Sequence, residues 1–478
     1  MAELHDLTAV EQGEAIKAGT VSPAELTEHY LGRIERHDAT LGAFLTVTPE
    51  LAREQAAQAG REALAARRDG RDLGPLHGVP VPVKDLHAVA GVRCTLGSQV
   101  YADHVPDRDD HTVVRLRAAG TVMLGKTNTP EFGLPCYTEN TLAPPARTPW
   151  DLGRSAGGSS GGAAAAVAGG LAPVAHASDG GGSIRIPASV CGLVGIKPSR
   201  GRVAGGPVFH DVSGLSTQGP VARTVADAAA LLDVLAGPAT AADPYGAPSL
   251  PPGDTFLAAA RREPGALRIV ALPEPPVPGV ALDPECRAAF DGAAALLRGL
   301  GHQVDELALP ADDRLLASFS RVWEVIAAMA PVAPEDEKLL MPLSRHLREA
   351  GARVAATEFT GALYAFRMLG DLIAEALLGT YDMILTPTLA QLPAPVGGLR
   401  NDEDPAAEFA GLAAYTPYTP LYNATGQPAA SVPLHWTDEG LPVGIMLGGR
   451  YGDEAGLISL AAQLETARPW AARRPALW

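Results

Sequence analysis

From Gly157 to Pro187 the chain reads GGSSGGAAAAVAGGLAPVAHASDGGGSIRIP. Two glycine-rich turns, one holding Ser159 and the other Ser183, are separated by a helix of small residues and a short apolar strand. Such a run suits close packing of helix on sheet and leaves two hydroxyls on separate turns. Upstream, Lys84 follows the apolar run VPVPV and stands at the end of what reads as a buried strand. No histidine has the spacing to serve as base to either serine. A lysine kept neutral in a dry pocket can serve instead, passing the proton through a second hydroxyl. The pattern is that of a hydrolase built on two serines and a lysine.

Competing readings of the same glycines are weaker. No lysine follows GGSSGG in the G-x-x-x-x-G-K-[ST] spacing of a phosphate loop. Gly157–Gly158–Ser159–Ser160–Gly161 satisfies G-x-S-x-G, but the preceding TPWDLGRSA is not the apolar strand a nucleophile elbow requires. A plain flexible loop remains the bland alternative for GGSSGG alone. SDGGGSIRIP changes the balance: three glycines before Ser183 let backbone N–H groups approach a reacting carbonyl without Cβ interference. Gly180, Gly181, Gly182 and Ser183 are thus candidate donors to a developing oxyanion. Lys126, which ends the apolar run TVMLGK, is a rival base. His176 lies in an apolar strand and reads as a core histidine.

At 478 residues with 46% hydrophobic and 19% charged content, the chain buries a sizeable core. Lys+Arg number 38 against 54 Asp+Glu, a net charge of 38 − 54 = −16, which argues against nucleic acid or an anionic membrane as partner. Cys94, Cys136, Cys191 and Cys286 form no C-x-x-C pair, so they read as small buried hydrophobes and no metal is expected. No apolar run reaches the length of a membrane span. The first thirty residues lack a basic n-region and an apolar h-region, so a cytoplasmic protein is expected.

Residues 1–70 read as a helical wrap. Thr8–Glu11 and Ser22–Glu25 are capping boxes, Pro23 opens the second helix, and a third runs from Thr48–Pro49 to Asp69–Gly70. Residues 71–236 alternate strand and helix: VPVPVKDL, TVVRLRAAG, TVMLGKTN, GGAAAAVAGG, LAPVAHAS, CGLVGIKPS, then a helix from Thr224. Residues 237–255 are rich in proline and glycine and are expected to cross the surface. A further α/β part, 237–478, contributes LRIVALPE, a helix capped by Asp283, HQVDEL, YDMILTPT, the hairpin AASVPLHW–TDEG–LPVGIMLGG and a last helix near Asp453 to Ala467. The expected class is α/β in one domain over 1–478, with a single sheet wound by helices.

Taken together, these motifs resemble the amidase signature family over most of the chain. The block from GGSSGG to VGIKPS carries most of the likeness, supported by GVPVPVKDL, LGKTNTPEFG, DMILTPT and NATGQPAASVPL. The resemblance implies one large twisted mixed β-sheet flanked by helices on both faces, and a cofactor-free, metal-free hydrolase of small amides. It implies Ser183 as nucleophile, Ser159 as the bridging serine behind a cis peptide with Gly158, and Lys84 as base, the VKD context favouring Lys84 over Lys126. Ser160, Asp179 and Arg185 are then supporting residues, with Lys197 in a structural pair nearby. Cys136, Tyr137, Thr138, the helices around Trp323 and the segment to Asn423 are candidate pocket walls. A homodimer is common in the family.

Some positions depart from the family's commonest pattern. Gly180 stands where threonine or a branched residue is frequent, and Ile186 stands where glutamine is usual in glutaminase subunits of tRNA-dependent amidotransferases. PSRGRV replaces PTYGRV. The chain is therefore more similar to stand-alone bacterial amidases, the branch that contains the aminohexanoate cyclic-dimer hydrolases. Carbamate or ester cleavage, the glutaminase subunit and an inert scaffold are the alternatives.

Overall fold

A computed structural model describes residues 3–208, 210–237, 245–308 and 313–478. The segment expected to cross the surface, 237–255, lies partly outside them. The N-terminal wrap consists of α1 (Ala9–Ala18), α2 (Pro23–Leu41) and α3 (Pro49–Asp69). Both capping boxes form: Thr8 and Ser22 accept the N–H groups of Glu11 and Glu25, whose carboxylates return to the cap N–H groups. Their apolar stripes, such as Leu26, Tyr30 and Ile34 on α2, are buried in the main core.

The large sheet has eight strands: β4 (Val174–Asp179), β5 (Val194–Lys197), β6 (Thr217–Ala222), β7 (Arg268–Ala271), β8 (Gln303–Glu306), β9 (Met383–Pro387), β10 (Ala429–Trp436) and β11 (Pro442–Gly448). Their spatial order is β4-β6-β5-β10-β11-β9-β7-β8. The sheet is mixed: β7 runs parallel to β8 and β9, while the remaining neighbours are antiparallel. Strands from 71–236 and from 237–478 therefore share one ladder, joined where β5 pairs β10 at Ala430↔Ile196. Against it pack α5 (Gly161–Ala168), α6 (Arg185–Cys191), α7 (Val225–Leu235), Pro284–Gly299 and Glu454–Ala467. The α4 helix (His111–Ala118) packs on α7. Among the described residues no helix is long and apolar enough to cross a membrane.

Beside the large sheet stands a small one, in the order β1 (Phe44–Val47), β3 (Gly125–Thr127), β2 (Val83–Lys84). Of VPVPVKDL, only Val83 and Lys84 join a ladder, parallel to Lys126 and Thr127. Upstream a single parallel bridge, Pro80↔Val122, carries the pairing on, the Val81 N–H donating to the Val122 carbonyl at 2.7 Å and the Val122 N–H to the Val79 carbonyl at 3.0 Å. The small sheet is tied to the large one where the His176 N–H donates to the Pro82 carbonyl at 3.1 Å.

Several elements escape the sequence reading, among them β1, β6 and α6. β6 carries Gly219 and Pro220 yet lies between β4 and β5. Its ladder with β5 covers only Val194↔Ala222 and Gly195↔Val221, so Pro220 pairs on the β4 side alone, opposite His176. The seven-residue α6 follows Ser183 directly, with Pro187 in its first turn, where a missing N–H costs nothing. The small-residue helix α5 forms as expected and is buried along its whole length. A Cβ on Gly162 would meet the Asn128 N at 2.3 Å and the Ala43 O at 2.5 Å, so this close approach requires glycine.

Behind β2 lies a fully buried ion pair, Lys126 Nζ to Asp85 Oδ1 at 2.8 Å. Asp85 Oδ2 also accepts the Thr95 N–H at 2.8 Å, fixing the chain just past Lys84. Removing one partner of such a pair strands the other charge in the interior. Asp85→Ala is expected to cost about 3–5 kcal/mol of stability, read as a lowered urea midpoint at unchanged m-value.

Candidate functional site

Lys84, at the end of β2, is fully buried, and its Nζ lies 2.8 Å from Ser159 Oγ and donates to the Ser178 carbonyl at 3.3 Å. Burial lowers its pKa to about 7, with the charge of Asp179 opposing the shift in part. A large share of Lys84 is therefore neutral at physiological pH. The rival, Lys126, is buried just as deeply, but Asp85 and Cys94 outweigh the desolvation and raise its pKa. It stays a charged member of an ion pair. Lys197 is held well below the ordinary lysine value by burial and by Arg185, and its Nζ donates to the Pro198 carbonyl at 2.9 Å. The structural pair expected of Lys197 does not form among the described residues.

Ser159 precedes α5, behind a cis peptide with Gly158. Thr138 holds this turn from both sides, its Oγ1 donating to the Gly157 carbonyl at 2.8 Å and accepting the Gly161 N–H at 3.1 Å. Ser160 ties the two glycine-rich turns together. Its Oγ donates to the Ser178 carbonyl at 3.1 Å, and its N–H donates to the Ser183 carbonyl at 3.3 Å.

Asp179 ends β4 and organises the second turn. Its carboxylate accepts the N–H groups of Gly182 at 2.7 Å and Ile184 at 3.1 Å. It also accepts Arg185 Nε at 2.9 Å, Arg185 Nη2 at 3.0 Å and Asn423 Nδ2 at 2.9 Å. Burial pushes the acid upward, but the Arg185 guanidinium and these hydrogen bonds win and lower it to about 2. Arg185 in turn donates to Asn423 Oδ1 at 2.7 Å and to the Thr419 carbonyl at 2.9 Å. Both charges are sealed beneath the loop.

The expected oxyanion donors divide. The Gly182 N–H is committed to Asp179, so Gly182 drops out of the expected set. Its φ of +136° and the Thr419 Oγ1 that a Cβ would meet at 2.4 Å demand glycine for shape instead. The N–H groups of Gly180, Gly181 and Ser183 meet no protein acceptor among the described residues.

Two cavities converge on Ser183. The larger, about 370 Å³, is also lined by Ser159, Gly180, Leu86, His87, Phe132 and Val212. The smaller, about 80 Å³, is lined by Gly181, Cys136, Ile186, Leu316, Phe319 and Phe409. Trp323 and Leu134 border both, and the indole Nε1 donates to the Leu134 carbonyl at 3.2 Å. Cys136 and Trp323 are thus wall residues, as expected. Tyr137, Thr138 and Asn423 are not: Tyr137 donates to Glu408, Thr138 braces the first turn, and Asn423 serves the Asp179–Arg185 cluster. Phe132 and Phe319 were missed, although Phe319 stacks on Trp323 one helical turn earlier, a spacing visible in the sequence.

No lysine or arginine lines either cavity among the described residues. The two aspartates of the larger wall are spoken for: Asp110 accepts the N–H groups of Ala88 and Val208, and Asp211 those of Ser213 and Ser216. His87 and His176 meet edge to face at 4.7 Å, and burial holds both imidazoles below their ordinary value, His176 at about 4. The Lys84 N–H points to His176 Nδ1 at 3.4 Å and His176 Nε2 lies 2.8 Å from Gln218 Oε1, so His176 is a neutral core residue.

The Amidase family model matches residues 25–458. A 6-aminohexanoate-cyclic-dimer hydrolase of Paenarthrobacter ureafaciens is 36% identical over 504 residues, covering 98% of this chain and 96% of that protein. The solved structure of a 6-aminohexanoate cyclic dimer hydrolase with its substrate superposes with a TM-score of 0.90 at 34% identity, covering 99% of this chain and 100% of the other. A bacterial aryl acylamidase of the amidase signature enzymes gives 0.87 at 28% identity, covering 99% and 100%.

Asp179→Asn is expected to strand the Arg185 charge and lower stability by about 3–5 kcal/mol, read by chemical denaturation. Asn423→Ala removes two bonds to the same carboxylate–guanidinium pair and should lower it less.

Proposed function

We propose that this chain, which belongs to the amidase family and is an amide-cleaving hydrolase, works through an acyl-enzyme on Ser183, with Lys84 and Ser159 as its proton relay. One observation carries the reading: a fully buried amine with a pKa near neutrality lies 2.8 Å from a serine on the wall of the cavity that reaches Ser183. Neutral Lys84 takes the Ser159 proton as Ser159 takes that of Ser183, and Ser183 Oγ attacks the amide carbon. The oxyanion is held by the N–H groups around Gly181 and Ser183. The proton then returns through Ser159 to the leaving nitrogen, the C–N bond breaks and the amine departs. Water repeats the relay on the ester, releasing the carboxylic acid and restoring Ser183.

The apolar walls favour a neutral amide. A substrate bearing a carboxylate would lose water without gaining a counter-charge, at a cost of several kcal/mol per ion. This argues against a glutaminase. Cyclic or oligomeric amides without free ends fit, as do acyl and aryl amides. The four cysteines are free and buried, which suits a reducing compartment such as the cytoplasm.

Ser183→Ala should lower kcat on any turned-over amide by about 10⁴-fold or more and abolish labelling by a fluorophosphonate. Labelling elsewhere with full activity would refute the assignment. Lys84→Ala should lose about 10²–10⁴-fold. The wild-type rate should rise with pH through about 7, because protonated Lys84 cannot accept the Ser159 proton. A flat profile between pH 6 and 8, measured with chemistry rate-limiting, would exclude Lys84 as base.

A further inference from the structure

The relay dictates which way a substrate faces. At the tetrahedral stage the carbon on Ser183 Oγ carries three other substituents: the oxyanion, the leaving nitrogen and the acyl group. The nitrogen must face the hydroxyl that protonates it, and that hydroxyl belongs to Ser159. Ser159 lines the larger cavity and is absent from the wall of the smaller. The amine therefore extends into the space of about 370 Å³, and the acyl group is left the cleft of about 80 Å³.

We infer that the two cavities divide the substrate unequally, making the enzyme selective for amides that join a short apolar acyl group to a bulky, uncharged amine. This rests on the Lys84–Ser159–Ser183 reading and deepens it.

Wall chemistry supports the division. The cleft is closed on the nucleophile's side by Phe319, whose ring abuts the loop so tightly that a Cβ on Gly181 would meet its Cζ at 2.9 Å. Trp323 stacks behind Phe319 with ring centroids 5.2 Å apart, and its Nε1–H bond to the Leu134 carbonyl fixes the partition between the two spaces. Ile186, Phe409 and Leu412 line the cleft further along, with no charged group among its described walls. The amine side is the larger and is lined by Phe132, Val212 and Met329. Val212 and Met329 are 56% and 50% exposed, so an apolar rim continues outward for a long substituent.

The test varies one arm at a time. In the first series the amine is fixed as 4-nitroaniline and the acyl group is acetyl, butyryl, hexanoyl or decanoyl. In the second the acyl group is fixed as acetyl and the amine is ethyl-, butyl-, hexyl- or octylamine, whose similar basicity keeps leaving ability constant. The expected result is a kcat/KM that falls at least tenfold from acetyl to hexanoyl in the first series and rises along the second. A first series that climbs with acyl length, or a second that falls, overturns the inference while leaving the hydrolase intact. Absence of turnover together with an unlabelled Ser183 would instead strike the catalytic reading, and this inference with it.

Phe319→Ala then locates the cause. Opening the cleft should raise the hexanoyl-to-acetyl ratio of kcat/KM tenfold or more, on the scale of 10–200-fold per methylene-sized fit. A ratio unchanged within twofold overturns the assignment of the acyl group to this cleft. Phe409→Ala, on the same wall, replaces it in that comparison if Phe319→Ala does not take the fluorophosphonate label.

Discussion

Withdrawal of water from a single amine is the constraint on which the site depends. Three lysines in this chain are wholly buried, and what surrounds each decides what it can do. Lys126 touches a carboxylate at 2.8 Å and keeps its charge. Lys197 is held well below the ordinary lysine value by burial and by the Arg185 guanidinium, and its Nζ finds only a backbone carbonyl. Lys84 stands between these extremes. Burial lowers it, and the negative charge of Asp179 checks the fall, leaving it near neutrality where an amine can both take and return a proton. Equal burial with different neighbours yields an ion pair, an amine far below its ordinary value and, on the proposed relay, a base.

Holding Lys84 there requires close backbone packing. β2 contributes two residues to its ladder, so the lysine is fixed as much by its surroundings as by strand pairing. The Ser178 carbonyl receives Nζ, the His176 ring receives the Lys84 N–H, and the Pro82 carbonyl binds the His176 N–H. The small residues of α5 then bring Ser159 and Ser160 down onto the end of β4. Larger side chains would lift that helix off Asn128 and Ala43, and the hydroxyl would move out of reach of the amine.

The sequence revealed the parts of the fold that depend on short-range chemistry. Capping boxes at Thr8 and Ser22, the Pro284 start, the β10–β11 hairpin and the small-residue helix each involve residues a few positions apart, and all appear where the pattern put them. What escaped depends on distant partners. β6 holds Gly219 and Pro220, which weaken any strand signal, and its ladders with β4 and β5 make it a strand. Gly182 looks like an oxyanion donor until Asp179 is seen folding back to take its N–H. Asn423 sits in a segment that does reach the wall, at Thr416 and Pro420, but its own side chain turns to Asp179 and Arg185. Gly182 lies in a loop and Asn423 in the six-residue helix Pro420–Thr425, both too short for a periodicity to show which way a group turns.

The site also separates charge from substrate. Asp179, Arg185, Asp85 and Lys126 are all fully buried beneath or behind the loops, each with partners of its own. The walls above are mostly apolar, with His87, His104, His210 and Tyr101 among them, and their two carboxylates are consumed by backbone N–H groups. In the proposed mechanism a neutral amide meets the Gly181 and Ser183 N–H groups on a loop that Asp179 braces through Gly182 and Ile184, so little reorganisation is needed as the oxyanion forms. On the proposed relay, the dryness that lowers the Lys84 pKa also selects against charged substrates, so basicity and specificity would share one physical cause.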